Sequence, residues 1–471
     1  MRQPHNENVN GDGKPGSPSP PPTNNITTIL PVAGPSPPGT SDSPFLFTLL
    51  DPDVLAENKE HIHDFDRGMQ HALWYLKKSA NRFVMDKEIL SVVNAFKSGV
   101  DTHNYVSLAR YFWPDHTSPN GLPYVRIDGQ VNPEIHTAPD YKAFRQMAKQ
   151  LQYLSLAYYF FDEETYAKKA VQRIQQWFIE PATRMNPHLH YASLVRGNPR
   201  GRGKGIIDFS PLPDVLDSIA ILQKSASWKA GLNADLRHWF TLYLDWLTTS
   251  PNGIEESNAL NNHGTYYDVQ KIALNIFLNQ TDLAQKASSR AAEIRIASQL
   301  RKDGEQYSET ARPFSWFYSI YNLRGLFQLC HMAKRVGVDL FAYTSPEQKS
   351  VRLALDYLLP SAIDESKWHF NNTGGFSGSK YLVSLLDEAY VVYHHPEYLN
   401  ARSVIADQYA PRYNISRLIL PWSHLGDHSA DARVQFGYFT SSSTPSFMFL
   451  SFTYICIFLT SVSIILFYNH F

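Results

Sequence analysis

The stretch TYYDVQKIALNIFLNQ, residues 265–280, decides the fold class of this chain. Its apolar residues recur at spacings of three and four, which is the period of an α-helix that buries one face. The same period runs through residues 140–161, 164–179, 212–225, 236–250, 282–300, 314–337 and 350–363. Strand-like alternation is nearly absent, and the connections are short. The sequence therefore predicts an all-α fold of consecutive antiparallel helix pairs, an arrangement that can close into a toroid.

Composition limits the function classes. The chain has 471 residues, of which 43% are hydrophobic and 13% aromatic, and this is enough for a large core. The formal net charge of −1 gives no overall field that would attract nucleic acid, so we expect no nucleic-acid partner. The two cysteines, Cys330 and Cys456, do not form a disulfide framework, because Cys456 lies in a hydrophobic tail.

The two ends of the chain differ from the middle. Residues 1–44 are rich in Pro, Gly, Ser and Asn and are predicted to be disordered, and the folded domain is predicted to span 45–435. Residues 447–468 are mostly apolar and long enough to cross a bilayer, so we expect the protein to be attached to a membrane. This segment is interpreted either as a tail anchor or as a GPI signal cleaved near Ser441–Ser443. No signal peptide is visible, so we expect a tail-anchored protein, or a cell-surface one if the gene model lacks its start.

Secretion would also make the N-x-[ST] sequons glycan acceptors. These sequons begin at Asn25, Asn279, Asn371 and Asn414.

The motif NNHGTYYDVQ, residues 261–270, places Asn262 and His263 at the start of a predicted helix. One interpretation is a structural helix start, with an asparagine cap and a tight backbone at Gly264. The other is half of an active site. No second His or Cys lies three or four residues from His263, so the motif does not predict a metal site.

A second group of polar residues lies in RKDGEQYSETARPFSWFYSIYNLRG, residues 301–325. Glu309, Arg312 and Tyr318 approach one another at roughly helical spacing. A break in the helix at Pro313 would let Arg312 and Tyr318 face one cleft. The alternative is an exposed Glu–Arg pair beside core aromatic residues.

Two irregular segments complete the set. ARYFWPDHTSPNGLPYVRIDGQVNPE, residues 109–134, is a long loop of the kind that often carries function. RGNPRGRGKG, residues 196–205, is a local basic patch in a neutral protein, suited either to a polyanion or to solvent.

Together these four segments resemble the alginate lyase family, the polysaccharide lyases related to family 5, from about Phe45 to Tyr343. The motifs that carry the resemblance are YFWPD, GLPYVRIDGQVNPE, GRGKGIID, NNHGTYYDVQ, DGEQYSETARPFSWFYS and AKRVGVDLF. One departure is Ser193 in YASLVRG, where such chains often carry Gln after YA. The resemblance implies an incomplete (α/α) toroid and an acidic polysaccharide as substrate. The catalytic group that it implies is Asn262, His263, Arg312 and Tyr318.

The chemistry of these residue types fits a lyase. Cleavage of a 4-linked uronate removes a weakly acidic C5 proton, and Asn262 and His263 can stabilise the negative charge that develops on the adjacent carboxylate. The cation of Arg312 is expected to favour the phenolate of Tyr318. If the C5 proton and O4 lie on one face, Tyr318 serves as base and acid; if they lie on opposite faces, His263 is the base and Tyr318 the acid. No metal or redox cofactor is required, and we expect a monomer.

The polymer is expected to bind to aromatic and basic residues of the same motifs. These residues are Trp113, Tyr124, Arg126, Arg202, Lys204 and Tyr266.

Two other functions remain open from the sequence. A toroidal glycoside hydrolase would need two carboxylates, for which Asp268 and Glu309 are the best candidates. A membrane-anchored carbohydrate-binding protein would need no catalysis, but binding alone does not require the four predicted catalytic residues.

Overall fold

The computed structural model describes residues 44–95, 97, 99–376, 378–409 and 415–421. Residues 1–43 of the predicted N-terminal segment and the whole predicted membrane segment 447–468 lie outside this part of the chain. Among the described residues, no helix combines the length and the apolar character needed to cross a bilayer.

The described chain is mainly helical. The first seven α-helices are α1 Pro52–Glu60, α2 Arg67–Met85, α3 Asp140–Phe161, α4 Glu164–Ile174, α5 Leu212–Leu222, α6 Leu232–Thr249 and α7 Pro251–Ser257. They are followed by α8 Asn262–Phe277, α9 Thr281–Ala291, α10 Tyr307–Thr310, α11 Ser315–Arg335, α12 Val351–Ile363, α13 Ser379–Tyr393 and α14 Pro396–Tyr409. Short 3-10 segments span Val92–Asn94, Pro133–Thr137, Gly203–Phe209, Glu365–Lys367 and Ile415–Ile419. Two π-helical segments, Gln175–Ile179 and Ala292–Ala297, extend α4 and α9.

Four short strands form two small sheets in the described residues. β1 (Val106–Leu108) pairs in parallel with β4 (Tyr191–Leu194). β2 (Phe112–Trp113) pairs antiparallel with β3 (Val125–Arg126), so that Phe112 lies opposite Arg126. The β2–β3 pair gives the long loop of residues 109–134 a fixed backbone.

Helices that follow one another in the chain pack side by side, as α3 does with α4, α8 with α9 and α13 with α14. The predicted helix 265–280 is observed as α8, and its apolar residues Val269, Ile272 and Ile276 are buried. One continuous core connects the helices from α1 to α14. The all-α prediction is confirmed, and the architecture is the predicted incomplete (α/α) toroid.

Gly325, which has no side chain, lets α8 and α11 pack closely. A Cβ added at Gly325 of α11 would lie 2.8 Å from the Thr265 methyl carbon and 3.4 Å from the Tyr266 ring. Such a distance is shorter than atoms in a packed interior adopt, so glycine allows the closer approach. The first turns of α8 and the helix that contains Tyr318 therefore lie beside each other.

A buried carboxylate attaches the start of the described chain to α5. Asp217, which is 2% exposed, accepts hydrogen bonds from the backbone of Thr48, Leu49 and Leu50 and from the Thr48 hydroxyl, at 2.5–2.9 Å. Burial raises the pKa of Asp217 to about 6, against these hydrogen bonds, which lower it. This carboxylate has a structural role, because its hydrogen-bond partners all lie at the start of the described chain.

Candidate active site

The start of α8 is held by two polar side chains. Asn261 is the N-cap of the helix and accepts a hydrogen bond from the His263 backbone N–H at 3.1 Å. Arg295, from the π-helical segment after α9, donates to Asp268 at 2.7 Å and to the backbone carbonyls of Ser257 and Ala259. The polypeptide before α8 is thus fixed from the protein interior, and the predicted cap is observed.

Asn262 is bound to a buried carboxylate. Its backbone N–H donates to Oε1 of Glu309 and its side-chain Nδ2 donates to Oε2, both at 2.6 Å. Asn262 and Glu309 are each 1% exposed. Burial raises the pKa of the Glu309 carboxyl, against the hydrogen bonds of Asn262 and the charges of Arg312 and His263, which lower it. One Nδ2 hydrogen of Asn262 is used by Glu309, and the side-chain Oδ1 of Asn262 is buried without a hydrogen-bond partner in the described part of the chain.

His263 is oriented by a second buried carboxylate. Its Nδ1 lies 2.5 Å from Oε1 of Glu256, and Glu256 is 1% exposed. A carboxylate accepts from Nδ1–H, and this selects the tautomer in which Nε2 carries the lone pair. The His263 side chain is 18% exposed, so part of the ring remains accessible. We call Asn262, His263, Glu256 and Glu309 the helix-start half of the site.

Arg312 connects Tyr318 to the long loop. Its Nε and Nη2 donate to the two carboxylate oxygens of Asp128, each at 2.8 Å, and Nη2 also lies 3.2 Å from the Tyr318 hydroxyl. The guanidinium carbon is 4.1 Å from the Tyr318 ring centroid. Burial would raise the pKa of Asp128, but the hydrogen bonds and charges of Arg312 and Arg126 outweigh it and lower that pKa. Asp128 is therefore an ionised partner that fixes the Arg312 fork.

Burial favours the neutral hydroxyl of Tyr318, although the charge of Arg312 acts towards the phenolate as expected. Burial raises the pKa of this hydroxyl far above the ordinary value, and the neighbouring Tyr111 adds to the effect. The two hydroxyl oxygens are 2.6 Å apart. The charge of Arg312 lowers the pKa of Tyr318, but by less than burial raises it. We call Arg312, Tyr318, Asp128 and Tyr111 the loop half of the site.

Glu309 links the two halves. It binds Asn262 directly, and the Arg312 backbone N–H donates to its carbonyl oxygen at 3.1 Å. The charges of both His263 and Arg312 act on its carboxyl group. All four residues of the predicted catalytic group are therefore brought to one region.

Most of the predicted binding residues lie on or beside the β2–β3 pair. Arg126 forms an ion pair with Asp128 at 3.1 Å and keeps a half-exposed side chain. The Trp113 indole donates to the Gln130 carbonyl at 2.9 Å, and the Tyr124 hydroxyl donates to Glu134 at 3.0 Å. These contacts hold the loop in one conformation next to the loop half.

Arg202 lies against the same strand pair. Its guanidinium carbon is 4.6 Å from the ring centroid of Phe112, and its Nη2 donates to the Ser193 hydroxyl at 2.8 Å. Ser193 has a φ of +53°, an uncommon conformation for a side-chain-bearing residue. The departure from the family sequence at this position thus supplies a hydroxyl that holds Arg202. Lys204, two residues on, is exposed.

Tyr266 differs from the other predicted binding residues. It is 2% exposed, its hydroxyl donates to the Tyr321 carbonyl at 3.0 Å, and its ring stacks on that of Tyr321 at 4.4 Å. The ring therefore supports Tyr321, and its predicted contact with the substrate has no accessible surface in this structure.

Sequence reasoning missed three functional partners: Glu256, Asp128 and Tyr111. Glu256 lies seven residues before His263 in a polar run, and its burial has no signal in the sequence. Asp128 is 184 residues from Arg312 along the chain and Tyr111 is 207 from Tyr318. The aromatic and acidic residues of the 109–134 loop indicate that the loop has a function. They do not indicate which residues of the loop contact Arg312 and Tyr318.

The two carboxylates considered for a hydrolase are both occupied. Asp268 is 2% exposed and paired with Arg295, and Glu309 is held by Asn262. Neither can flank a glycosidic bond. In the described part of the chain, no group of three or more His, Cys, Asp and Glu side chains is placed to hold a metal ion.

Comparison with known proteins agrees with this geometry. The family model described as Alginate lyase matches residues 92–368, a range that contains both halves of the site. The chain belongs to the alginate lyase family. A crystal structure of an alginate lyase from Bacteroides ovatus is similar to this chain at 31% sequence identity, with a TM-score of 0.74, over 80% of this chain and 99% of that one.

A more distant likeness is to alginate lyase A1-III from Sphingomonas species A1, at 14% identity and a TM-score of 0.48, over 72% of this chain and 89% of that one. No curated protein sequence matches the chain. As an alginate lyase family member the protein is a polysaccharide lyase that acts on an alginate-like polyuronate, and the predicted family, fold and enzyme class are confirmed.

Proposed function

We propose that the chain cleaves a 4-linked polyuronate by β-elimination at the site formed by the helix-start half and the loop half. The observation that carries the proposal is the arrangement around His263 and Tyr318. A carboxylate fixes Nδ1 of His263 and leaves the lone pair on Nε2 of a partly exposed ring, and Arg312 and Tyr111 hold the hydroxyl of Tyr318, whose neutral form burial favours. A proton acceptor and a proton donor are thus provided by different elements of one site.

The carboxylate of the substrate needs neutralisation before the C5 proton can leave. We assign this role to the second Nδ2 hydrogen of Asn262 and to the guanidinium of Arg312. Both donors are already oriented by carboxylates, Glu309 and Asp128, so they need little reorganisation as negative charge develops. Because the site is partly buried, these interactions are stronger than they would be in water.

The proton steps depend on the stereochemistry of the uronate. In guluronate the C5 proton and O4 lie on opposite faces of the ring, so Nε2 of His263 takes the proton and Tyr318 protonates the leaving O4. In mannuronate and glucuronate they lie on the same face, and Tyr318 must first lose its proton in order to act as base. The raised pKa of Tyr318 makes that ionisation costly, so the opposite-face reaction is expected to be the faster one.

A panel of polyuronates tests the proposal. The full-length protein is incubated with polyguluronate, polymannuronate and glucuronan, and the ultraviolet absorbance of unsaturated uronate ends is recorded. Elimination produces this absorbance together with new reducing ends, and polyguluronate is expected to react fastest. Reducing ends without absorbance would indicate hydrolysis, and binding without either product would indicate a carbohydrate-binding protein.

We also propose, from the sequence, that residues 447–468 attach the enzyme to a membrane and that it acts as a monomer. Support for attachment comes from the length and apolar composition of this segment. Of the sequon asparagines in the described residues, Asn371 is exposed and Asn279 is partly buried, so Asn371 is the better glycan acceptor.

Membrane fractionation of the full chain and of a variant truncated before 447 tests attachment. Loss of the membrane fraction is expected only on truncation, and soluble full-length protein would contradict it. Light scattering tests the monomer, and a dimer mass would contradict it.

A further inference from the structure

The solvent-facing side of α2 combines cationic and apolar side chains. Six exposed residues recur at spacings of three and four along the helix, so they share one narrow face. We call them the α2 face: Arg67, His71, Trp74, Lys78, Arg82 and Met85. The sequence of α2 contains no Asp or Glu. The opposite side of the helix, which includes Leu76 and Phe83, is buried in the core.

Two large apolar side chains of the α2 face are open to solvent. Trp74 is 49% exposed and Met85 is 74% exposed. The Nζ of Lys78 lies 4.7 Å from the centroid of the Trp74 ring, so a cation and an aromatic ring lie together in the middle of the face. Cations beside exposed Trp and other apolar side chains are typical of a helix that lies on a bilayer, where the ring enters the headgroup region.

The protein does not neutralise the cations in the middle of the α2 face. Lys78 and Arg82 form no ion pair with another residue in the part of the chain that the structure describes. Three carboxylates near α2 already pair with other cations: Asp66 with Arg417 at 3.3 Å, Asp86 with Arg173 at 3.6 Å and Glu163 with Lys77 at 2.8 Å. The face therefore keeps a positive charge that complements an anionic surface.

The last described residues lie beside the start of the same helix. The 3-10 segment Ile415–Ile419 packs against α1 and α2, and its Arg417 pairs with Asp66, the N-cap of α2. The 25 residues 422–446 connect this place to the apolar segment 447–468. Fully extended, 25 residues span at most about 90 Å. A bilayer that holds the segment 447–468 is thus within reach of the α2 face.

We propose that the α2 face rests on an anionic lipid surface, the bilayer to which residues 447–468 attach the protein. Lys78 and Arg82 pair with lipid headgroup anions, and Trp74 and Met85 enter the headgroup region. A polyuronate could also pair with the cations, but it offers no apolar environment to Met85. The inference rests on the proposed membrane attachment and goes beyond it, because it gives the domain one orientation on the membrane.

Amine labelling on vesicles tests the α2 face. The full-length protein is reconstituted with vesicles of phosphatidylcholine, with or without phosphatidylserine, and its flotation is recorded. A water-soluble reagent then modifies exposed lysines, and mass spectrometry compares Lys78 with Lys302, an exposed lysine outside α2. Lys78 should be protected on the vesicles that contain phosphatidylserine, and Lys302 on neither. High salt should remove the protection, because it screens the charges.

Variants separate the charge from a general effect of the vesicles. Arg82→Gln should lower the protection of Lys78 about fivefold, the equivalent of about 1 kcal/mol for one cation near an anionic surface. Trp74→Ser should also lower it, because the aromatic ring no longer enters the headgroup region. Lys229→Gln, at an exposed lysine before α6, is the matched control and should leave the protection unchanged. Thermal unfolding of each variant checks that the fold is retained.

Flotation without protection of Lys78 would overturn the role of the α2 face, while attachment through 447–468 would stand. Equal protection of Lys78 by polyguluronate without vesicles would also overturn it, because the face would then bind the polymer. Flotation only with phosphatidylserine, and its loss in Arg82→Gln, would support the α2 face and overturn attachment through 447–468. No flotation with either kind of vesicle would overturn both proposals.

Discussion

The two halves of the site use carboxylates in different ways. In the helix-start half, Glu256 and Glu309 are each 1% exposed and hold their partners from inside the core. In the loop half, the carboxylate is Asp128, whose side chain is 27% exposed and which belongs to the 109–134 loop. The side chains of the helix-start half are therefore held by carboxylates in the core, whereas Arg312 in the loop half is held by a carboxylate of one surface loop.

The two kinds of carboxylate are expected to affect catalysis differently, because one is buried and the other is accessible to solvent. A buried carboxylate keeps His263 and Asn262 in place whether or not substrate is present, and it is protected from solvent screening. An accessible carboxylate can release Arg312, so that the guanidinium exchanges part of its contact for the uronate. Changes in the helix-start half should therefore mainly affect kcat, and changes at Asp128 should affect KM as well.

The largest effect is expected at the loop half, from Tyr318→Phe. Tyr318 carries the hydroxyl that we propose as the proton donor to O4, and its removal should lower kcat by about 10²–10⁴-fold, the usual contribution of a general acid. Initial rates from the absorbance of unsaturated ends measure it, with circular dichroism as a check on folding. Tyr343→Phe, in a ring that packs at the edge of the core, is the matched control. A kcat within twofold of the wild type for Tyr318→Phe would remove Tyr318 from the mechanism.

In the helix-start half, we expect Glu256→Gln to lower kcat by about 10²-fold with little change in KM, because a misoriented catalytic group loses roughly that factor. A glutamine can present its N–H₂ to Nδ1 and so favour the other His263 tautomer. The pH profile of kcat should therefore shift as well as fall. A loss of protein stability with an unchanged pH profile would reduce Glu256 to a packing role.

Asp128→Asn tests the loop half more gently. The amide keeps one hydrogen bond to Arg312 but loses the negative charge. A hydrogen bond to a charged group contributes about 1.5–3 kcal/mol, and this is the upper limit of the expected loss. We expect kcat/KM to fall about tenfold, with a clear rise in KM. Asp115→Asn, a partly exposed aspartate in the same loop, serves as the comparison. If KM stays constant and kcat alone falls, the distinction drawn between the two halves is wrong.

The smallest effect on catalysis is expected from Asp217→Ala, because the hydrogen-bond partners of Asp217 belong to neither half. Its buried N–H partners lose their acceptor, so the free energy of unfolding should fall by about 3 kcal/mol while kcat per folded molecule stays constant. Burial raises the pKa of Asp217 to about 6 in the folded state from its ordinary value of 3.8, so the stability linked to its protonation is fully present below pH 3.8 and is lost as the pH rises through 6. Urea unfolding between pH 4 and 7 should show this decline in the wild type and not in the variant. If the free energy of unfolding of Asp217→Ala still declined between pH 4 and 7, another group would be responsible for the decline.

The sequence predicted the helices well and the contacts between them poorly. The period of α3 predicted its bounds, residues 140–161, because a buried helix must repeat its apolar residues every three or four positions. The placement of Asn262 and Tyr318 in one region was predicted through resemblance alone, since it depends on the packing of α8 against α11 at Gly325, which no local pattern reveals. The charge of Arg312 lowers the pKa of Tyr318 as predicted, but the larger effect of burial, which raises this pKa, cannot be read from the neighbouring cation.

The most direct test of the account is proton exchange at C5 in heavy water, followed by nuclear magnetic resonance of an oligoguluronate. In the proposed mechanism His263 takes the C5 proton and Tyr318 only donates to O4, so Tyr318→Phe is expected to exchange the C5 proton for deuterium without cleaving the chain. His263→Ala should neither exchange nor cleave. Exchange that persists in His263→Ala and disappears in Tyr318→Phe would contradict the account, because it would make Tyr318 the base.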